Sequence, residues 1–398
     1  MSLETTPMRI DGSDVTATET SVVTSPYDGR EVGRVPLGSE AEVDTAVAVA
    51  LERHGTGPLP AHERARILDD AAAAIEARSE EFAQLISDES AKPISTARVE
   101  AARCVDTFRF SAAVARTFGG EVIPMDASAA GTGKLGFTIR VPIGVVGAIS
   151  PFNFPLNLVA HKVAPAIAAG APVVLKPASA TPLTALRLAR MLEEDAGLPP
   201  GWLNTVTVPG SVADHLVTHD DVSAITFTGS PEVGWGIRSR APRKRVGLEL
   251  GNNAPVIVHC DADLSLAAER VAVGGYSFSG QTCISVQRIY AHQDIYEDFL
   301  AELIDRVEEL KAGDPSDPAT DVSSLIDAGE TARVVAVLDE ALDGGADLVT
   351  GGAVSGSDLI RPTVLAGVRD EMAVCRTEVF GPVVGVRTYS HLELSLIH

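Results

Sequence analysis

The hydrophobic positions of this chain fall into two patterns that alternate along the sequence. Short apolar runs, each consistent with a buried strand, lie at 145–149, 173–175, 203–208 and 224–227. Segments with helical character follow most of them, and a second series begins at Pro255-Val256-Ile257-Val258 and contains a predicted helix from Ile295 to Lys311. This alternation favours βαβ units and a parallel sheet covered on both faces, so the predicted fold class is α/β.

Helix signals dominate the N-terminal part of the chain. Ser39 and Glu42 have the spacing of a capping box, in which each side chain accepts a hydrogen bond from the backbone amide of the other residue, and this predicts a helix to about Arg53. Ala-rich segments predict further helices at 61–90 and 95–117. The following segment, 119–140, contains a Gly-Thr-Gly-Lys turn and predicts an extended excursion.

One segment, from Val141 to Leu175, is apolar and long enough to span a bilayer. Five prolines interrupt it, and His161 and Lys162 lie near its middle. We therefore interpret it as buried strands and a helix of the α/β core. The polar, acidic N-terminus has neither the cationic nor the apolar region of a secretory signal, so none is predicted there.

Composition narrows the class of protein. A chain of 398 residues suggests two or more lobes, because domains commonly contain about 100 to 200 residues. The balance of 54 acidic against 32 basic residues, a net charge of −22, argues against nucleic acid or an anionic membrane as a partner. The four cysteines lack metal-ligand spacing, so we predict neither a metal site nor a disulfide framework. A reducing cytoplasm is the location that we predict.

Cys283 is the leading candidate for covalent chemistry. It lies in Ser279-Gly280-Gln281-Thr282-Cys283-Ile284-Ser285, directly after the apolar, Gly-rich run 271–278. A thiol at a Gly-containing turn can face a cleft, where its thiolate is a better nucleophile than any hydroxyl. A lone Cys is more often a buried structural thiol, so this interpretation depends on the rest of the sequence.

Other motifs supply the remaining parts for covalent oxidation of a carbonyl with a nucleotide cofactor. They are Pro151-Phe152-Asn153-Phe154-Pro155, Leu175-Lys176-Pro177-Ala178-Ser179, Phe227-Thr228-Gly229-Ser230, Leu248-Glu249-Leu250-Gly251 and Glu378-Val379-Phe380-Gly381-Pro382. In these motifs and their order the chain resembles the aldehyde dehydrogenase superfamily, from about Ser25 to Tyr389. The segment 280–288 looks most like the lactaldehyde dehydrogenase-like branch.

The resemblance implies a domain organisation. Residues 1–118 and 141–250 would form a Rossmann-type NAD(P)-binding domain, and residues 251–398 an α/β catalytic domain. Residues 119–140 would form the strands that mediate oligomers in the family, and a full-length protein is expected to be a homodimer or homotetramer. The chain ends soon after Pro382, whereas family members continue, so we expect a catalytic domain that is incomplete at its C-terminus. The closing run 391–398 partly alternates apolar and polar residues, with nothing after it to pair with.

The resemblance also implies catalytic roles. Cys283 would attack the aldehyde carbon to form a thiohemiacetal, which loses hydride to the nicotinamide and becomes a thioester. The side-chain amide of Asn153 and the backbone N–H of Cys283 would stabilise the oxyanion. Glu249 would activate the water that hydrolyses the thioester, a task that suits a carboxylate whose pKa is raised by partial burial.

A third set of residues would bind the cofactor: Lys176, Ser179, Gly229, Ser230, Gly234, Glu378 and Phe380. The segment from Gly229 to Gly234 follows a predicted strand, and Pro231 suits the start of a helix whose free amides would face a pyrophosphate. NAD-preferring members commonly carry Glu at the position of Ser179. Because Ser cannot repel a 2′-phosphate, we predict NADP or NAD, with NADP slightly favoured.

Several alternatives stay open. The family's usual pair of glycines after Glu249-Leu250 is here Gly251-Asn252, which places a side chain where the backbone often approaches closely. The chain could be an inactive cofactor-binding fragment, or an enzyme that transfers the acyl group to CoA, although Glu249 favours hydrolysis. The expected substrate is a small, uncharged or hydroxylated aldehyde, with succinic semialdehyde also possible.

Overall fold

A computed structural model of the chain describes residues 4–353 and 359–392. Its strands are β1 (Met8–Ile10), β2 (Ser13–Val15), β3 (Thr20–Thr24), β4 (Glu31–Pro36), β5 (Val122–Ile123), β6 (Gly136–Phe137), β7 (Val145–Ile149), β8 (Val173–Lys176), β9 (Leu203–Thr205), β10 (Val222–Gly229), β11 (Arg245–Leu250), β12 (Pro255–Val258), β13 (Arg288–His292), β14 (Asp347–Ala353), β15 (Ile360–Ala366) and β16 (Val383–Tyr389). Its helices are α1 (Glu40–Gly55), α2 (Ala61–Ala77), α3 (Ser79–Ser90), α4 (Ile94–Thr117), α5 (Asn157–Ala169), α6 (Leu183–Glu194), α7 (Gly210–Thr218), α8 (Pro231–Arg240), α9 (Leu264–Tyr276), α10 (Tyr296–Glu308), α11 (Ala328–Asp343) and α12 (Ala373–Arg376).

The larger sheet has the strand order β11-β10-β7-β8-β9-β1-β2 among the described residues. The strands from β11 to β9 are parallel, and β1 and β2 add an antiparallel edge. Two apolar clusters, one on helices α2 to α6 and one on helices α1, α7 and α8, contain side chains from its strands. The order reverses between β7 and β10, and ligands of such sheets bind at this switch point, beyond the carboxyl ends of the strands.

The smaller sheet has the order β12-β13-β16-β15-β14, with only β14 antiparallel to its neighbour. Helices α9 and α10 contribute to one apolar cluster that contains its strands, and α11 contributes to another. Parallel sheets packed with helices confirm the predicted α/β class. Within the described residues, no helix is long and apolar enough to cross a membrane.

Most predicted elements are confirmed. The capping box opens α1, where the Glu42 carboxylate accepts a hydrogen bond of 2.7 Å from the amide of Ser39. The predicted helix 61–90 is two helices that meet at Arg78, and the strand predicted at 203–208 ends at Thr205. The excursion 119–140 contains the two-residue strands β5 and β6, which pair with each other. Of the closing run 391–398, residues 393–398 lie outside the described part of the chain.

Candidate active site

The two sheets enclose a cleft of about 1180 Å³. Its walls include residues at the carboxyl ends of β7, β8, β10 and β11, and residues of the loops that lead into β13 and β16. Nine of the ten predicted site residues line it: Asn153, Lys176, Ser179, Gly229, Ser230, Glu249, Cys283, Glu378 and Phe380. The switch point and the predicted nucleophile therefore face the same cavity.

A strained turn presents Cys283 to this cleft. Phe278, Ser279 and Gly280 all have left-handed backbone, with φ of 49°, 55° and 70°. For residues other than glycine this costs about 1 to 2 kcal/mol each. The Ser279 hydroxyl offsets part of that cost, because it donates to the Ser323 carbonyl at 2.8 Å and accepts from the Ser323 amide at 3.0 Å. The turn is thus fixed from a neighbouring loop.

The thiol of Cys283 is half-buried. Burial raises the pKa of Cys283, and the negative charges of Glu378 and Glu249 raise it further. The raised pKa disfavours a resting thiolate, so attack on a carbonyl requires removal of the thiol proton.

Asn153 lies against the same loop. Its Nδ2 donates to the Gln281 carbonyl at 2.9 Å, and the Gln281 Oε1 accepts from the Ile326 amide at 2.9 Å. An amide nitrogen carries two hydrogens, so one is left for a substrate oxygen. Asn153 is almost completely buried, and its Oδ1 has no hydrogen-bond partner among the described residues.

Glu249 is exposed in the cleft wall, where the sequence led us to expect partial burial. The physical reason is the position of β11 at the edge of the larger sheet, where exposed and half-buried residues alternate along the strand. The Glu249 carboxylate thus has access to water in the cleft.

Lys176 and Ser179 are adjacent at the end of β8. The Lys176 Nζ donates to the Ser179 hydroxyl at 3.3 Å, and burial lowers the pKa of Lys176 to about 8. A buried ammonium with only a hydroxyl partner in the described part of the chain can accept an anionic or hydroxylated ligand group without first breaking an ion pair.

The start of α8 borders the cleft as predicted. Ser230 is its N-cap, with the hydroxyl accepting from the Val233 amide at 3.4 Å, and Pro231 is its first residue. Gly234 is different, because it lies inside the helix and does not line the cleft. A Cβ there would lie 2.5 Å from the Leu250 side chain, so the residue allows close packing of α8 on β11.

Glu378 lies against the backbone of Gly251. A Cβ on Gly251 would lie 1.8 Å from the Glu378 Oε2, so only glycine permits this approach. Burial raises the pKa of Glu378, whereas the amide of Asn252 and the charge of Arg333 act in the opposite direction. The first glycine of the usual pair therefore keeps its function in this chain.

The residue in place of the second glycine also has a structural role. The Asn252 side chain donates to the Cys283 carbonyl, while its own carbonyl accepts from the buried Gln287 at 3.1 Å. Gln287 in turn accepts from the Val379 amide at 2.5 Å, and Arg333 donates to the Val379 carbonyl at 2.6 Å. These contacts could not be predicted from the sequence, because no local motif marks Gln287 or Arg333.

Phe380 has left-handed backbone, with φ of 49°, which is rare for a bulky side chain. Its ring meets the ring of Phe152 edge-on, at 5.9 Å between centroids. The loops that carry Asn153 and Glu378 thus touch across the cleft, and such strain is common at functional sites.

A separate polar cluster joins α1 and α7. Ligand atoms of Asp44, His215 and His219 lie within 4.8 Å of one another, with 2.5 Å between the His215 Nε2 and the Asp44 Oδ1. The Nδ1 of His219 accepts from the Asp221 amide at 3.2 Å, which leaves its proton on Nε2, facing Asp44. This arrangement suits a hydrogen-bonded contact between helices better than a metal ion.

The cleft fits a dinucleotide. Its volume exceeds the range of about 300 to 1,000 Å³ that is usual for small-molecule sites. It is lined by a helix N-terminus, a buried ammonium and the carboxylate of Glu378, whose buried Oε1 has no hydrogen-bond partner among the described residues. A switch-point cleft with these groups and a thiol defines a nucleotide-dependent α/β enzyme.

Comparison with known proteins gives the family. Residues 14–396 match the aldehyde dehydrogenase family, and this chain belongs to it. The chain is 41% identical over 385 residues to the 3-sulfolactaldehyde dehydrogenase of Priestia aryabhattai, covering 96% of this chain and 80% of that protein. It is 37% identical over 384 residues to the lactaldehyde dehydrogenase of Methanocaldococcus jannaschii, covering 95% and 81%.

Solved structures agree. An NAD-dependent aldehyde dehydrogenase of Sinorhizobium meliloti superimposes with a TM-score of 0.95 at 36% identity, covering 99% of this chain and 80% of that one. An NADP-dependent enzyme of E. coli superimposes with a TM-score of 0.94 at 32% identity, covering 98% and 82%. The predicted superfamily and enzyme class, NAD(P)-dependent aldehyde oxidation, are thereby confirmed.

Proposed function

We propose that this chain oxidises a short aldehyde to its carboxylic acid with Cys283 as the nucleophile. The observation that carries the proposal is the single cleft that contains the predicted thiol, amide, carboxylates and nucleotide-site residues. Overall, the aldehyde, one water and NAD(P)+ give the acid, NAD(P)H and a proton. The bound nicotinamide would supply the hydride acceptor.

The residues of the chain would act in a defined order. The Cys283 sulfur bonds to the aldehyde carbon, its proton passes through water in the cleft to solvent, and the carbonyl oxygen becomes an oxyanion held by the free N–H of Asn153 and the amide of Cys283. Once the hydride has left, Glu249 takes a proton from water, which attacks the thioester and releases the acid and the thiol. The exposure of Glu249 to the cleft supports hydrolysis over transfer to CoA.

For the cofactor we propose that Lys176 and Ser179 bind the adenosine ribose or its phosphate, and that the α8 N-terminus at Gly229 and Ser230 binds the pyrophosphate. Glu378 and Phe380 would hold the nicotinamide ribose. The Lys176–Ser179 contact leaves a cation beside a small hydroxyl, which supports NADP as well as NAD.

For the substrate we propose a short hydroxyaldehyde, and one with a distal acid group in preference. The two relatives described above are named for 3-sulfolactaldehyde and lactaldehyde. The identity of 41% to the relative named for 3-sulfolactaldehyde supports the anionic substituent.

We further propose the domain division given above, a cytoplasmic location and a homo-oligomer. Strands β1, β2 and β7 to β11 share one sheet and β12 to β16 the other, which supports a boundary near residue 250. Cys104, Cys260, Cys283 and Cys375 are all free, which supports a reducing compartment.

The test is an assay of NAD(P)H formation with lactaldehyde, 3-sulfolactaldehyde and succinic semialdehyde. We expect Cys283→Ala to abolish turnover while cofactor binding persists, and Cys260→Ala, a change at an exposed cysteine outside the cleft, to behave as wild type. 3-Sulfolactaldehyde should be turned over more efficiently than lactaldehyde. Aldehyde oxidation by Cys283→Ala would disprove the proposed mechanism.

A further inference from the structure

Lys92 and Glu100 form an ion pair inside the protein, outside the cleft. Their side chains contact each other directly, and neither has any exposed surface. Removing two charges from water costs several kcal/mol per ion, and direct attraction seldom leaves a large net gain. Because the pair by itself adds little stability, its contacts with the surrounding residues are the basis for a functional role.

Each member of the pair holds one end of the segment that carries Asn153. The Lys92 Nζ donates to the Asn153 carbonyl at 2.6 Å. The Glu100 Oε1 accepts from the amides of Leu156 and Asn157, both at 3.0 Å. Helix α5 has no side-chain cap of its own, so Glu100 caps it from α4.

The same lysine also contacts the loop of the nucleophile. Its Nζ lies 3.7 Å from the ring centroid of Phe154 and 4.5 Å from that of Phe278. Phe278 begins the left-handed turn that leads to Cys283. An ammonium over an aromatic face is attractive, and more so when both are removed from water. One buried cation thus bridges the backbone of Asn153 and the turn before the thiol.

We propose that Lys92, held by Glu100, is a positioning residue that fixes the Asn153 amide relative to the main chain of Cys283. This inference rests on the proposed function, in which those two groups bind the oxyanion. An oxyanion donor is effective only at about 2.7 to 3.1 Å from the developing charge, and loss of one costs on the order of 100-fold or more in rate. A displaced Asn153 would forfeit part of that factor.

The test is a double-mutant cycle of Lys92→Met and Asn153→Ala. The rate of the pre-steady-state burst of NAD(P)H is measured for each variant. Lys92→Met alone should slow the burst by about 10-fold to 100-fold, because it displaces the Asn153 amide and loss of an oxyanion donor has an effect of that size on the rate. In the Asn153→Ala background the same change should add less than about 3-fold, since coupled residues are not additive. An equal loss in both backgrounds would show a merely structural role and overturn the inference.

A second pair of variants controls for folding. Lys92→Met with Glu100→Gln removes both charges, so no buried charge is left unpaired, and it should retain the slow burst. Glu89→Gln is the matched control, because Glu89 is equally buried and caps α6 through the amides of Leu183 and Thr184 at 2.9 and 3.1 Å. It should keep the wild-type burst.

The outcomes distinguish failure of the inference about Lys92 from failure of the proposed function. A wild-type burst rate in a folded Lys92→Met/Glu100→Gln protein would overturn the inference and leave the proposed function standing. Absence of any NAD(P)H formation by the wild-type chain, in the burst or in the steady state, with every aldehyde and both cofactors would overturn the proposed function, and the inference with it.

Discussion

At the scale of single residues, the carboxylates of the cleft affect the pKa of its thiol. Cys283 has a raised pKa because it is half-buried and because Glu378 and Glu249 contribute negative charge. The same Glu249 that disfavours a resting thiolate has access to water in the cleft. A thiol that is protonated at rest can attack the aldehyde only if its proton is removed at that step of the reaction.

The role of Glu249 can be tested by Glu249→Gln. We expect release of the acid to slow by about 10²-fold to 10⁴-fold, the usual worth of a general base, while the NAD(P)H burst changes much less. Stopped-flow measurement of the burst and of the steady-state phase separates the two steps. Equal slowing of both phases would assign Glu249 to activation of the thiol instead.

Lys176 predicts a pH dependence for cofactor choice. Burial lowers the pKa of Lys176 to about 8, so its ammonium is charged below that pH and is lost as the pH rises above it. Attraction to a 2′-phosphate should weaken in the same direction. The Kd of NADP should therefore rise between about pH 7 and pH 9.5, whereas the Kd of NAD should change less.

Calorimetric titration across that pH range would measure both constants. Lys176→Arg is the matched control, because a guanidinium stays charged throughout and should flatten the NADP profile. Parallel pH profiles for NAD and NADP in the wild-type protein would separate Lys176 from the phosphate site.

At the scale of elements, the end of β11 is where a glycine is required. In Gly251→Ala the new methyl group would occupy the place of the Glu378 carboxylate, which must then move. We expect a loss of about 1 to 3 kcal/mol in the free energy of unfolding, as for other overpacked sites, and weaker NAD(P) binding.

Gly247, on the same strand, supplies the control for that prediction. A Cβ there meets only the Ile225 carbonyl oxygen, at 3.9 Å, so Gly247→Ala should be close to neutral. Thermal unfolding and cofactor titration of both variants would compare them. Equal stability and equal cofactor affinity of the two variants would show that Glu378 can relocate freely.

The elements found from sequence are those whose signals are local. Strand β7, from Val145 to Ile149, and the start of α8 at Pro231 follow from an apolar run and from helix-start chemistry, and both lie as predicted. Strand β1 was missed because it has three residues and gains its place by pairing Arg9 with Thr205, far along the chain. Lys92 was missed for the same reason, since only tertiary packing buries it.

At the scale of the whole molecule, strong net charge and exposed apolar surface act in opposite directions. The charge of −22 disfavours association at low ionic strength. Yet the described chain exposes apolar side chains on α4 and on the segment 119–141, including Phe110 at 74%, Leu135 at 80% and Ile139 at 73%. Exposed apolar side chains concentrated in two successive segments of the chain favour an interaction site there.

We therefore predict that the protein is a homodimer or homotetramer assembled through the segment 119–140, and that salt strengthens the assembly. Within the described part of the chain, strands β5 and β6 pair only with each other. Each strand therefore has one free edge that is available to a strand of a partner subunit.

Leu135→Asp with Ile139→Asp should place charges on that surface and yield monomers. Leu266→Asp, at a side chain 48% exposed on α9, is the matched control and should keep the wild-type mass. Size-exclusion chromatography with light scattering measures all three proteins at about 0.01 M salt, where screening is weak, and at about 0.15 M salt, where it is stronger. A monomeric wild-type protein, or a double variant with the wild-type mass, would remove the segment from the interface.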